Sequence, residues 1–592
     1  MTALPTRSRP RILAAAALLA LVLPLRADEK TPTPVERSNQ NARVLIEVFS
    51  RFAPESAGRL GVDGLDEEIL DLKPDLAARS VQATSEALAN LKERLAAEAD
   101  PFVRQDLEIL IGAGERHIEG TKLGEKYDIP FFDLPQTIFG GIRALLDDQV
   151  PAERRVKALV HLRRYAGMEA GGMPIVRLAE NRIRERLSMP GLSVPFRDQL
   201  EKDLGNGPRF VDGIGQLFDK YKIAGYQEAY GKLKSQLADY EKFVRGSLLP
   251  RARMDFRLPA EKYAFALKQA GIDMPVAELT SRARVAFKEI QNEMQALAPL
   301  VGKERGWTDY RDVLRELKKE QLAGDVIYAF YQARIKDIEK LIVDNHVVTL
   351  PARPMRMRLA SEAESAATPA PNMRPPRLLG NTGEMGEFVL PLKIPGKAGR
   401  NEISFDDFTF AAASWTLTAH EARPGHELQF ASVIERGVST ARALFAVNSV
   451  NVEGWGLYAE AEMKPYFPLE GQLGGLQGRL LRAARAILDP GLQMGTITRE
   501  EATRMLREDV VLSEAMALQE LERYTFRAPG QAPSYFCGYQ RLMELRADAE
   551  RILGPRFNRQ KFNDFVLSQG MLPPFLLRKA VMEDFIPRQK AG

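Results

Sequence analysis

Along most of the chain, apolar residues recur every three or four positions, the spacing that lines one face of an α-helix. Val81, Thr84, Leu88, Leu91 and Leu95 share such a face, which predicts a helix over 81–98 built from good helix formers. Asp100-Pro101 reads as a helix start, with Pro at the first helical position. The same period predicts helices near 152–166, 226–245, 260–270, 276–297 and 325–344, most of them separated by Pro or Gly. Between 350 and 410 the pattern changes. Pro351, Pro354, Pro369, Pro371, Pro375 and Pro376 exclude long helices, and 355–359 and 387–392 read as short strands. Helical spacing returns at Ala411 and runs to Phe585. The expectation is a mainly α protein with one small β-element. Its parts are an N-terminal helical region over 28–350, a β-containing segment over 351–410, and a C-terminal helical region over 411–592 that carries the chemistry.

Residues 1–27 stand apart. Arg7, Arg9 and Arg11 precede an apolar run over 12–25, too short for a comfortable membrane span, and a polar Pro-rich stretch follows. This is the pattern of a secretory signal peptide ending near Ala27, and it predicts a periplasmic or secreted protein. The signal accounts for the whole charge excess. The chain has 83 Lys and Arg against 79 Asp and Glu, and residues 1–27 hold four Arg and no acid. The mature chain is therefore neutral, with no electrostatic case for nucleic acid and no apolar stretch predicting a stable membrane span. Cys537 is the sole cysteine, so an intrachain disulfide and a thiolate zinc site are excluded.

The chain has five histidines, and two lie in His420-Glu421-Ala422-Arg423-Pro424-Gly425-His426. Zinc hydrolases often carry two His four residues apart on one helical face, with Glu beside the first. A spacing of six puts the rings about 240° apart around an ideal helix. Pro424 and Gly425 offer a way back, because one removes a helix hydrogen bond and the other widens the allowed φ. Either a break there returns His426 to the side of His420, or the helix simply ends between unrelated histidines. A hydrolytic zinc takes three protein ligands and keeps a position for water. Glu453, 27 residues on in Asn451-Val-Glu453-Gly-Trp-Gly-Leu-Tyr-Ala-Glu460, is the candidate third ligand. Glu460 shares its helical face and is a candidate acceptor for a ligand imidazole N–H, or else part of a solvated acidic edge.

These residues resemble a known family. His420-Glu421-x-x-Pro-Gly-His426-x-x-Gln429, Glu453-Gly-Trp-x-Leu-Tyr-Ala-Glu460, Arg485-x-x-x-Asp489-x-Gly491-Leu492, Pro529-Gly-Gln-Ala532-x-Ser-Tyr535-x-x-Gly538 and Gln569-Gly570-x-Leu572-Pro573 together resemble the bacterial family known as domain of unknown function 885. That family is similar to the gluzincin zinc metallopeptidases. The resemblance implies a helical two-lobed fold around a deep cleft, Zn²⁺ held by His420, His426 and Glu453, and Glu421 as general base acting on a peptide substrate. Tyr535 is the first candidate for oxyanion donor and Tyr539, one turn on, the second, although either can be core. Arg546 either meets a substrate carboxylate or pairs with Glu550. Two positions depart from the family pattern: Gln493 and Asn563 stand where many members have His. They favour the alternative of a noncatalytic periplasmic binding or scaffold protein on a peptidase fold. A Ser or Cys nucleophile has little support, since no Gly-x-Ser-x-Gly occurs and no His lies near Cys537 in sequence.

Overall fold

The computed structural model describes residues 32–322, 324, 326–396, 402–404 and 406–591; the expected signal segment lies outside them. The chain is mainly α, as the hydrophobic spacing predicts. Helix α1 (Pro34–Phe52) starts at a capping box, in which Thr33 and Glu36 satisfy each other's backbone N–H, with Pro34 at the first position. Helix α2 (Leu76–Ala97) covers the predicted 81–98 stretch up to Ala97, with Glu98 as its C-cap, and extends it at the front. Helix α3 (Pro101–Tyr127) begins where Asp100-Pro101 predicts, its first turn capped by the Asp100 carboxylate. The predicted 152–166 helix is instead two short ones, Ala152–Arg155 and Ala158–Tyr165.

The three largest hydrophobic cores among the described residues organise most of the helices. Helices α4 (Leu134–Leu145) and α5 (Arg197–Lys220) face each other through Ile138, Ile142, Phe210 and Ile214. Helix α6 (Val276–Val301) packs along a long C-terminal helix, Leu279 and Phe287 joining Leu480 and Ile487. The third core spans the sequence. Leu45 of α1, Leu91 of α2 and Leu107 of α3 are buried with Trp455, Leu542, Phe562 and Ile586. Each such side chain, fully buried, contributes about 1.5–3 kcal/mol.

The small β-element is a three-stranded sheet. Strands β1 (Arg356–Leu359) and β3 (Glu387–Leu390) are the two the sequence predicts, and they pair in parallel. The central β3 also pairs antiparallel with β2 (Asn372–Arg374), three residues between prolines that periodicity does not reveal. Met357, Phe388 and Leu390 pack on Leu417 and Ala422, so the sheet backs the segment that carries the histidines. Among the described residues, no helix is long and apolar enough to cross a membrane.

Candidate metal centre

Helix α7 (Ala411–Glu421) ends at Glu421, and helix α8 (His426–Glu435) begins at His426. The break expected at Pro424-Gly425 is therefore present. The Arg423–Pro424 peptide is cis. Gly425 is required sterically, since a Cβ there would lie 1.9 Å from the His420 carbonyl oxygen. The corner brings the two imidazoles edge to face, with ring centroids 4.5 Å apart. Arg423 fixes the corner by donating from Nε to Glu427 at 2.7 Å and from Nη2 to the Arg353 carbonyl at 2.6 Å.

Helix α9 (Ser449–Met463), capped by Asn448, supplies the third group. Glu453 Oε2 lies 3.6 Å from His420 Nε2 and 3.3 Å from His426 Nε2. Among the described residues this is the one group of three such side chains, its candidate ligand atoms all within 4.8 Å of one another. The neighbours of Glu453 have separate tasks. Gly454 lets α9 meet helix α11 (Ser534–Leu553), because a Cβ there would lie 2.6 Å from the Gly538 carbonyl carbon. Trp455 Nε1 donates to the Pro424 carbonyl at 3.0 Å, tying α9 to the corner. Gly456 makes room for both rings, since a Cβ would meet His420 Cε1 at 2.6 Å and His426 Cε1 at 2.9 Å.

Glu460 lies beside His420. Its Oε1 lies 2.8 Å from His420 Nδ1, and Thr416 and Arg482 each donate to it at 2.9 Å. This contact directs Nε2 of His420 towards Glu453. Burial opposes charge on His420, but Glu453 and Glu460 outweigh it and raise the imidazole to about 9. Burial also disfavours ionised Glu453, yet hydrogen bonding from both histidines holds it well below the usual carboxylate range. Glu453 Oε2 is buried and, among the described residues, has no conventional hydrogen-bond donor other than these rings. Two imidazoles and a buried carboxylate aimed at one point form a donor set that fits a divalent cation such as Zn²⁺.

A cavity of about 90 Å³ adjoins this group, lined by His420, Glu421, Glu460 and Tyr535 among others. Glu421 is buried, and burial raises its carboxyl above the usual range. The Tyr535 ring stacks on His420 at 6.3 Å, and its hydroxyl receives a 3.4 Å hydrogen bond from Arg523. Tyr539 does not join them: it packs in the core that spans the sequence, with Arg479 over its ring. Arg546 pairs with Glu550 and Glu462 and donates to Tyr458, so the structural alternative describes it. Gln493 and Asn563 each link two backbone or side-chain groups. Gln493 accepts from Leu258 N and donates to the Tyr524 carbonyl. Asn563 accepts from Tyr458 Oη and donates to the Val347 carbonyl. Neither borders the cavity. Cys537 is buried, and burial pushes its thiol up to about 12, which removes it as a nucleophile at neutral pH.

Sequence reasoning missed Arg482 and Arg523, and read Arg485 only as part of a motif. All three line the cavity, two from helix α10 (Leu469–Gln493) and one from a π-turn over Arg523–Arg527. Arg482 and Arg485, three apart in a run of Leu, Ala and Ile, are a visible signal: buried cations on an apolar helix need partners.

The family described as bacterial protein of unknown function (DUF885) matches residues 54–581. The chain belongs to that family. Two solved structures share the fold of this DUF885 protein. One, a "putative lipoprotein" from Colwellia psychrerythraea, aligns with a TM-score of 0.73 at 18% identity, covering 94% of this chain and 100% of that one. The other, a "putative lipoprotein of unknown function" from Shewanella oneidensis, aligns with a TM-score of 0.66 at 18% identity, covering 93% and 100%. No curated protein matches at a significant level.

Proposed function

We propose that this DUF885 protein is a zinc-dependent metallopeptidase that hydrolyses peptide bonds in short peptides. The observation that carries the reading is the convergence of His420, His426 and Glu453 beside a cavity that Glu421 also borders. Two imidazoles and a carboxylate suit Zn²⁺ better than Mg²⁺ or Ca²⁺, which favour all-oxygen shells. Zinc held there supplies Lewis acidity and an acidified water. Glu460 orients His420 through Nδ1. Glu421 takes the proton of the attacking water and returns it to the leaving nitrogen. Tyr535 donates its hydroxyl proton to the oxyanion in a hydrogen bond.

The test separates base from ligand. Glu421→Gln keeps the bound zinc and loses about a hundredfold or more in turnover, since general-base catalysis is worth about 10²–10⁴. Glu453→Gln loses the zinc, as does His426→Ala. Metal content by elemental analysis and cleavage of a mixed peptide library by mass spectrometry read both. Zinc retained with no peptide cut marks a noncatalytic binding protein instead. If Glu421→Gln released the metal and Glu453→Gln held it, the two roles would be exchanged.

We also infer export, from the basic and apolar pattern of residues 1–27. The lipoprotein descriptions of the two relatives in fold agree with that inference. The exported protein then begins at or near Asp28, and exported material whose N-terminal sequence starts at Met1 contradicts it.

A further inference from the structure

Three guanidinium groups line the cavity that holds His420 and Glu421, and their counter-charges are unequal. Arg482 has Glu460 at 2.9 Å, the same carboxylate that His420 uses. Arg485 occupies both oxygens of Glu520, at 2.8 and 2.6 Å. Arg523 has only a longer contact to that same Glu520, at 3.6 Å from Nε. Its Nη1 donates to neutral acceptors, Gln531 Oε1 at 3.0 Å and Tyr535 Oη at 3.4 Å. Nη2 has no hydrogen bond among the described residues. Two cations thus share one anion. The other acids nearby are committed: Glu453 to the histidines, and Asp489 to Tyr263 Oη and the Gly530 N–H.

Arg523 is partly exposed at this cavity, so a guanidinium with an incomplete partner there is reachable by an anion, and its planar fork matches a carboxylate. The cavity is also small. At about 90 Å³ it is well below the roughly 300–1,000 Å³ of pockets that bury a whole drug-sized ligand. It suits the end of a peptide better than a chain that continues.

We propose that Arg523, backed by Arg485, binds the terminal carboxylate of the substrate, so that the protein trims peptides from the carboxyl end. This rests on the metallopeptidase reading above. Hydrolysis places the water hydroxyl on the scissile carbonyl carbon and a proton on the amide nitrogen. The released fragment leaves with the carboxylate that Arg523 held.

The experiment uses zinc-loaded mature protein and a pool of N-acetylated tetrapeptides of random sequence, prepared once as free acids and once as C-terminal amides. Mass spectrometry follows the loss of each. Wild type consumes the acids at least tenfold faster than the amides. Arg523→Met brings that ratio towards one with zinc retained, and Arg523→Lys, which keeps the charge, restores part of it. Equal rates on acids and amides in wild type overturn the proposal. So does an Arg523→Met variant that slows both pools alike, because that is the signature of an oxyanion or structural role. If wild type cuts neither pool, the peptidase reading fails, and binding decides the carboxylate site separately. Preferential retention of the acids on immobilised zinc-loaded Glu421→Gln protein upholds it, and equal retention of acids and amides overturns it.

Discussion

Tyr535 stacks on a ligand candidate and borders the cavity, whereas Tyr539 is core. The two share a helical face, but four residues also advance the chain about 6 Å along the axis, enough to leave the site. Tyr535→Phe removes one hydroxyl and almost no volume. Turnover should fall by about 10²–10³, the usual cost of one oxyanion donor, with zinc content and the Michaelis constant close to wild type. Tyr539→Phe should keep its rate. Steady-state kinetics on both variants check this, and a loss in Tyr539→Phe alone would move the donor one turn along. The histidine pair was legible as a motif broken by Pro424-Gly425, and a shared helical face links Glu453 to Glu460. That Arg523 meets Arg482 and Arg485 around Tyr535 was not legible, because they come from α10 and the turn after Glu522 and become neighbours only through packing.

The helix boundaries follow local rules, so much of the element map was legible. Thr33 and Asp100 cap, Pro34 and Pro101 start, and Pro424-Gly425 divides α7 from α8. What periodicity cannot report is how close two helices come. That is written in glycines whose tasks appear only once α9 has neighbours. Gly456→Ala gives a test at this scale. Alanine is the better helix former by about 1 kcal/mol, so helix content by circular dichroism should be retained. The new methyl displaces both imidazoles, and zinc affinity should fall by at least about 10–100-fold, the scale of losing a group that orients a ligand. Competitive titration against a chelator measures it. Wild-type affinity would mean that the rings shift aside without penalty.

At the scale of the molecule, one buried carboxylate joins distant parts of the sequence. Asp106 of α3 accepts from Ser38 at 2.6 Å, from Ser439 at 2.5 Å and from Arg442 Nε at 2.8 Å. Removing it leaves Arg442 buried without a counter-charge. Asp106→Ala should therefore destabilise by about 3–5 kcal/mol, seen as a lower urea midpoint. An unchanged midpoint would show that Gln105 and Gln569, which also touch Arg442, suffice. This bond was not legible in the sequence: its partners lie 68 and more positions apart, and a lone Asp in an amphipathic helix reads as surface.

The core shared by α1 and Ile586 bears on the order of synthesis. A ribosome delivers Leu45 more than five hundred residues before Ile586, and until then the apolar stripe of α1 lacks part of its cover. The nascent chain must spend that interval with greasy surface open, a state prone to aggregation and to capture by chaperones. If the chain is exported as proposed above, the same delay keeps it from closing early, which is the condition that threading through a narrow export channel demands. A chain stopped after Leu553 would carry Phe562, Phe585 and Ile586 as a permanent hole rather than a passing one.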